Sequence, residues 1–302
     1  MRGISILTIL FLLTACTEKS ALQPTSSGRP YEVWVVATAE TEARSIEATL
    51  ATAVAGLPQE EPSFDSRFCP SSRFTATEKR ARNLIVVETD PTLYSKVSIT
   101  YEHNTYATPQ MLIHVQAPDR QALDTAFAQG SRYGKELLRL LNRHELTIRS
   151  NFLKRQHNPQ AEQLVRDMFN IGMQIPADMQ SSKRGKGFLW LSDNGTDGMQ
   201  NICIFDAADI DSVLKANIPG EEDGMYMQTV APSIIHEGGI LRGLWQMEGD
   251  AMGGPFVARR VADPSGNRHL TVLAFVYAPG TTKRNRMRQL EAVLYTINNK
   301  QS

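Results

Sequence analysis

Apolar residues fall along this chain in two rhythms, one of period two to one and one of period three to four. The first opens at Tyr31 with YEVWVVA, a β-branched and aromatic run that predicts a buried strand over residues 31–37. From about Glu40 the rhythm changes. Ala43, Ile46, Leu50, Val54 and Leu57 recur at helical spacing, and Gly56 with Pro58 supplies a stop. NLIVVE, KVSITYE and MLIHVQ, starting at Asn83, Lys96 and Met111, predict three further strands. A long helix follows Pro118, with Asp119 placed to cap it and Leu123, Phe127, Gly130, Gly134, Leu137 and Leu141 along one stripe. LTIRSNF, residues 146–152, fits either a strand or a continued helix.

The second half follows a similar order. Pro159 opens a helix whose face carries Ala161, Leu164, Val165, Met168 and Gly172, and the strands GFLWLSD and MQNICIFDA follow around the turn NGTDG. Asn83 in RNLIVVETD aligns with Asn201 in QNICIFDAAD at an offset of 118, while Gly56 and Gly172 differ by 116. Each half then closes with strand, Ala-Pro and helix, which together read as a duplication. The expected fold is α+β: two related modules, 31–145 and 146–302, each packing helices on a mainly antiparallel sheet, with ferredoxin-like halves as the topology. The second module carries an insertion, about 207–268, with the loop PGEEDG and the hairpin RGLWQMEGDAMGGPFVARRVAD.

The N-terminus changes the setting. Arg2, the apolar run Ile4 to Leu13 and the small residues Thr14-Ala15 read as a secretory signal over 1–15. Its apolar run is short of the roughly 20 residues a spanning helix needs. Leu13-Thr14-Ala15-Cys16 resembles the lipobox of bacterial lipoproteins, which implies diacylglycerol on the Cys16 thiol. Residues 16–30 are then a lipidated cysteine and a flexible tether, polar and rich in Ser, Thr, Pro and Gly. Thr17 after the cysteine points, by resemblance to enteric lipoprotein sorting, to the outer membrane facing the periplasm; Glu18 keeps surface exposure as the alternative. The 32 Lys and Arg balance 32 Asp and Glu, so nothing argues for nucleic acid as a partner. Cys69 and Cys203 are left, in a compartment where a disulfide between them can form, although Cys203 within NICIF also suits a buried thiol.

The segments MGGPFVARR and FVYAPGTTKRNRMRQLEAVL, together with the lipobox, RPYEVWVV, LPQEEPSFD and RNLIVV, give the chain a resemblance to a known family. It resembles, over essentially all of its length after the signal, the Bacteroidota lipoproteins catalogued as domain of unknown function 4837. That resemblance implies an envelope lipoprotein and supplies no activity or catalytic residues.

Catalytic and ligand-binding motifs are mostly incomplete. GDAMGGPF, with Gly253 and Gly254, offers backbone amides to an anion but lacks the strand and helix context of a phosphate loop, so a hairpin turn is the simpler reading. DNGTDG lacks the calcium-loop Glu, His236-Glu237 has Ile240 where a zinc motif needs histidine, and no G-x-S-x-G occurs. Lys283, Arg284, Arg286 and Arg288 open the last helix, where cations oppose the macrodipole at a cost of a few tenths of a kcal/mol each. An anionic ligand would explain them, as would salt bridges or solvation.

The expected role is non-catalytic binding or envelope assembly, without cofactor or metal, and with Trp245, Gly253, Gly254, Phe256, Arg284 and Arg288 as candidate ligand contacts. The partners expected are the membrane, through the lipid, and an envelope protein, lipid or glycan. The alternative is a hydrolase of envelope glycan, lipid or peptide. A pair of titratable groups in the cleft between modules would favour it, and an apolar or basic groove would favour binding.

Overall fold

The computed structural model describes residues 23–262 and 268–298. The fold is α+β, built on two sheets. The first module runs β1 (Glu32–Ala37), α1 (Glu40–Leu50), β2 (Asp65–Pro70), β3 (Asn83–Thr89), β4 (Ser98–His103), β5 (Met111–Ala117), α2 (Arg120–Ala126) and α3 (Arg132–Leu153). Its strands lie in the order β2-β1-β3-β5-β4, parallel except for the β4–β5 pair. Val33, Val35, Ile85, Ile113 and Val115 alternate onto one face and pack under α1, α2 and α3. The other face carries a small cluster of Ala81, Leu84 and Leu112 with Trp34 and Phe74.

The second module runs α4 (Pro159–Phe169), β6 (Ser181–Gly185), β7 (Phe188–Ser192), β8 (Met199–Asp206), α5 (Ile210–Asn217), β9 (Tyr226–Thr229), β10 (Ile235–Glu237), β11 (Ile240–Glu248), β12 (Gly253–Ala262), β13 (His269–Tyr277) and α6 (Arg284–Leu294). Its eight strands follow the order β10-β11-β12-β13-β8-β7-β6, with β9 beside β11, and every pairing is antiparallel. Helices cover both faces. Val165, Ile204, Val272 and Leu290 form the core under α4 and α6, and Phe205, Leu214, Trp245 and Phe275 form the one under α5. Burial on both sides is why β8 reads as an unbroken apolar run.

Several expectations need correction. Neither sheet is a ferredoxin-like half, and the two aligned strands differ: β3 has parallel neighbours, β8 antiparallel ones. Apolar runs report burial, which these strands share, and carry no record of strand direction. The insertion 207–268 is no appendage, since it supplies β9 to β12, four of the eight strands. The helix after Pro118 breaks near Gly130, whose φ is 73°, and restarts where the Ser131 side chain accepts from the Gly134 amide at 3.0 Å. Residues 146–152 are helical, and α3 thereby serves both modules: Leu137 and Leu141 sit in the first core and Leu153 in the second. Val54 and Leu57 lie beyond α1, on a return segment with an isolated bridge from Ala53 to Pro62, in which the Val54 amide donates to Glu61 O at 2.9 Å. The tether is also shorter than expected. Thr108 N donates to Pro24 O at 2.9 Å and Ser27 N to Arg80 O at 2.8 Å, so the chain is held to the first module from Pro24 onward.

Besides the continuous helix α3, the modules are joined by a clamp of hydrogen bonds. Glu61, from the first, accepts hydrogen bonds from the backbone amides of Lys283 at 2.6 Å and Arg284 at 2.9 Å, the start of α6. The Arg284 side chain reaches back to Pro62 O at 2.7 Å and to both carboxylate oxygens of Asp65, at 3.2 and 2.8 Å. A carboxylate on a helix N-terminus satisfies amides that have no partner within the helix. Glu61→Ala strands both buried amides. We expect about 3 kcal/mol of lost stability in urea unfolding, and a loss below about 0.5 kcal/mol would mean that the clamp does not hold the modules.

Candidate functional site

The cleft between the modules has a volume of about 730 Å³. One wall is the exposed side of α3, where Lys135, Arg139 and Arg143 follow at four-residue spacing. The other is α6 with Arg284, Arg288, Glu291 and Tyr295, joined by Glu237 and Arg242 from the β10–β11 hairpin. Between them lie the 52–57 return segment and half-buried Val54, Leu57, Leu138 and Leu146. Gly56 lets the return segment meet β11: a Cβ there would stand 3.0 Å from Arg242 Cβ, and its φ of 79° favours glycine.

Six cations thus face two carboxylates in a chain with no net charge. Both carboxylates are committed to Arg242: Glu291 at 2.7 Å and, more loosely, Glu237 at 3.9 Å. Arg284 is spent on the clamp and Arg139 on Glu136. Lys135, Arg143 and Arg288 are left without an ion pair among the described residues. Their charge therefore projects into the cleft, where low-dielectric walls strengthen it.

Arg288 is held by an unusual neighbour. Its guanidinium lies 5.6 Å from the Tyr31 ring centroid, and its Nε is buried without a hydrogen-bond partner. Tyr31 is itself left-handed, with φ of 61°, a region that costs a bulky side chain energy. Packing holds it there: the Phe64 ring lies tilted against it at 5.5 Å between centroids, Asp65 N donates to Tyr31 O at 2.8 Å, and the Tyr31 amide donates to buried Glu145. Burial pushes the Tyr31 phenol well above its ordinary value, so it stays neutral. Glu145 also accepts from Arg82 at 2.9 Å and Asn83 at 2.7 Å, although burial still raises its carboxyl. This arrangement presents a positioned guanidinium, the donor best matched to carboxylate or phosphate oxygens.

Of the residues singled out from sequence, Arg284, Arg288 and Phe256 line the cleft. The others do not. Trp245 is a core side chain donating to Val276 O at 3.2 Å, and Gly254 exists for close strand packing, since a Cβ there would lie 2.1 Å from Val276 O. A Cβ on Gly253 would crowd Trp245 O at 2.9 Å, so neither glycine forms an anion cradle. Cys69 and Cys203 are buried free thiols in strands of different sheets, so no bridge joins them; burial raises both, which leaves them inert. Cys16 lies outside the described residues. Among the described residues no three His, Cys, Asp or Glu gather as a metal site, and no helix is long and apolar enough to cross a membrane. Sequence reasoning missed Lys135, Arg139, Arg143 and Tyr31. The lysine and two arginines were legible as a basic stripe, but nothing in the sequence marks Tyr31 as strained.

Behind the α3 wall, burial lowers His144 from an ordinary 6.5 to about 4, with the His103 ring 5.8 Å away adding repulsion. Between those values the unfolded chain binds the proton that the folded one refuses. Stability is therefore complete above pH 6.5 and falls by roughly 3 kcal/mol as pH drops through 4. Buried Glu145 has the opposite sign, so the clean readout is the difference between wild type and His144→Gln. The variant's urea midpoint should fall less between pH 7 and pH 4, and parallel profiles would refute the assignment.

No curated protein and no solved structure matches the chain. The resemblance drawn from MGGPFVARR and FVYAPGTTKRNRMRQLEAVL holds for the second half, and its extent is corrected: RPYEVWVV, LPQEEPSFD and RNLIVV lie in a half that matches a different family. Residues 26–155 match the family described as Domain of unknown function (DUF8532), and residues 158–296 match Domain of unknown function (DUF4837).

Proposed function

We propose that this chain is a lipid-anchored envelope protein that works by binding an anionic partner in the cleft between its two modules. The observation that carries the reading is the set of three unpaired cations, Lys135, Arg143 and Arg288, around one cleft in a chain of zero net charge. Among the described residues, the two carboxylates lining that cleft, Glu237 and Glu291, are held by Arg242, an arrangement suited to structure more than to acid–base work. The anchor rests on Leu13-Thr14-Ala15-Cys16, and a Bacteroidota outer-membrane setting facing the periplasm is part of the same proposal. Because the chain is held from Pro24, only residues 17–23 separate Cys16 from the folded body, about 25 Å at full stretch. The body would therefore work close to the membrane surface.

Two measurements test this. Metabolic labelling with a fatty-acid probe should mark wild type and lose the signal in Cys16→Ala; undiminished labelling of the variant refutes the anchor. A photo-crosslinking residue placed at Leu138 in the full chain should capture an anionic envelope component that the same residue at exposed Leu93 does not. Equal capture at both positions refutes the cleft.

A further inference from the structure

The cleft joins two chemistries that a small inorganic anion would not need together. Its rim carries Lys135, Arg143 and Arg288, while its floor exposes apolar surface from Leu57, Leu138 and Leu146. We infer that the occupant is an amphiphilic anion, an elongated apolar body ending in a carboxylate or phosphate, with the acidic group on Arg288 and the body along the floor. This rests on the reading of the cleft as the binding site and narrows what it takes.

Each of the two surfaces excludes a simpler ligand. A phosphate ion alone would pair the cations but leave the leucine surface wet, forfeiting the burial that drives most small-molecule affinity. A plain hydrocarbon would cover the leucines while stripping water from three unpaired charges, which is costly. Only a molecule with both parts satisfies both surfaces.

Dimensions agree. Lys135, Arg139 and Arg143 advance by four residues each, so their row spans about 12 Å along α3, which favours an elongated occupant over a compact one. The volume of about 730 Å³ lies within the roughly 300–1,000 Å³ of small-molecule sites. The Tyr31 ring beneath Arg288 fixes the guanidinium at one end of this space, and Asn142, whose buried Oδ1 also lacks a partner, adds an acceptor on the α3 wall. That acceptor suits the hydroxyl or protonated oxygen of an acidic headgroup.

The test uses the full chain in lipid nanodiscs with a photoreactive diazirine palmitate, a matching diazirine hexadecanol and empty discs as the partition control. The palmitate probe should label peptides from α3, α6 and the 52–57 segment. Labelling should fall about tenfold in Arg288→Gln and by a similar factor in Arg143→Gln, as loss of one charge-assisted contact implies. Arg143 is exposed, so its replacement leaves folding intact and keeps the test valid if Arg288→Gln proves unstable. Competition by hexadecyl phosphate, or its absence, decides between phosphate and carboxylate headgroups, and either result supports the amphiphile once palmitate labels the cleft. Equal labelling by the alcohol, complete competition by inorganic phosphate, or labelling only outside the cleft overturns the inference. If the Leu138 crosslinker captures an anionic component while palmitate fails, the amphiphile claim falls and the cleft reading stands.

Discussion

Along with α3, which enters both cores, a buried carboxylate sets the relation of the two modules. Glu61 closes the N-terminus of a helix that begins 222 residues later in the chain, and it does so from a buried position. The opposite face of that helix, through Met287, Leu290 and Leu294, is part of the second core. α6 is therefore committed to one module by packing and to the other by hydrogen bonds. Arg284 reinforces the contact with a bidentate grip on Asp65. Such a partly buried pair is worth little when intact relative to an apolar substitute, and much when one partner is removed. What it provides here is a fixed geometry, and the cleft is the space that this geometry leaves open between α3 and α6.

The clamp also explains how the cations divide. A basic cluster at a helix start is unfavourable if the dipole alone is considered. Glu61 neutralises that end, Arg284 is paired, and Arg286 donates to the carbonyls of Gly198 and Asp197 at 3.3 and 3.2 Å. Lys283 gives its ammonium to Thr281 O at 2.7 Å. Arg288, one turn further along, is the member that structure does not consume. It rests on a tyrosine whose backbone strain is maintained by Phe64, Asp65 and Glu145. Strain retained at a site by several neighbours is the usual sign that the position matters for more than packing.

Much of the secondary structure was legible because burial writes itself into sequence. Val33, Val35, Ile85 and Ile113 alternate or run together where a strand is covered, and Asp119 caps a helix where its type predicts. Topology was less legible. β3 and β8 look alike as strings of apolar residues, yet their partners run in opposite senses, and strand direction is decided by connections that apolar content does not encode. The site was half visible. Arg284 and Arg288 stand out as charges, but the roles of Glu61 and Asp65 depend on contacts across more than 200 residues, which no local pattern reveals. Trp245, Gly253 and Gly254 misled for a related reason: aromatic and glycine residues serve ligands and tight strand packing alike, and only the neighbours distinguish the two uses.

The claim that one clamp fixes the cleft is tested most directly by amide hydrogen exchange at Lys283 and Arg284. Both amides point into the Glu61 carboxylate, so they should exchange as slowly as the amides of central strand β13, through global opening alone. Exchange as fast as that of neighbouring exposed Gly280 and Thr282 would show the modules parting freely, and would contradict the account.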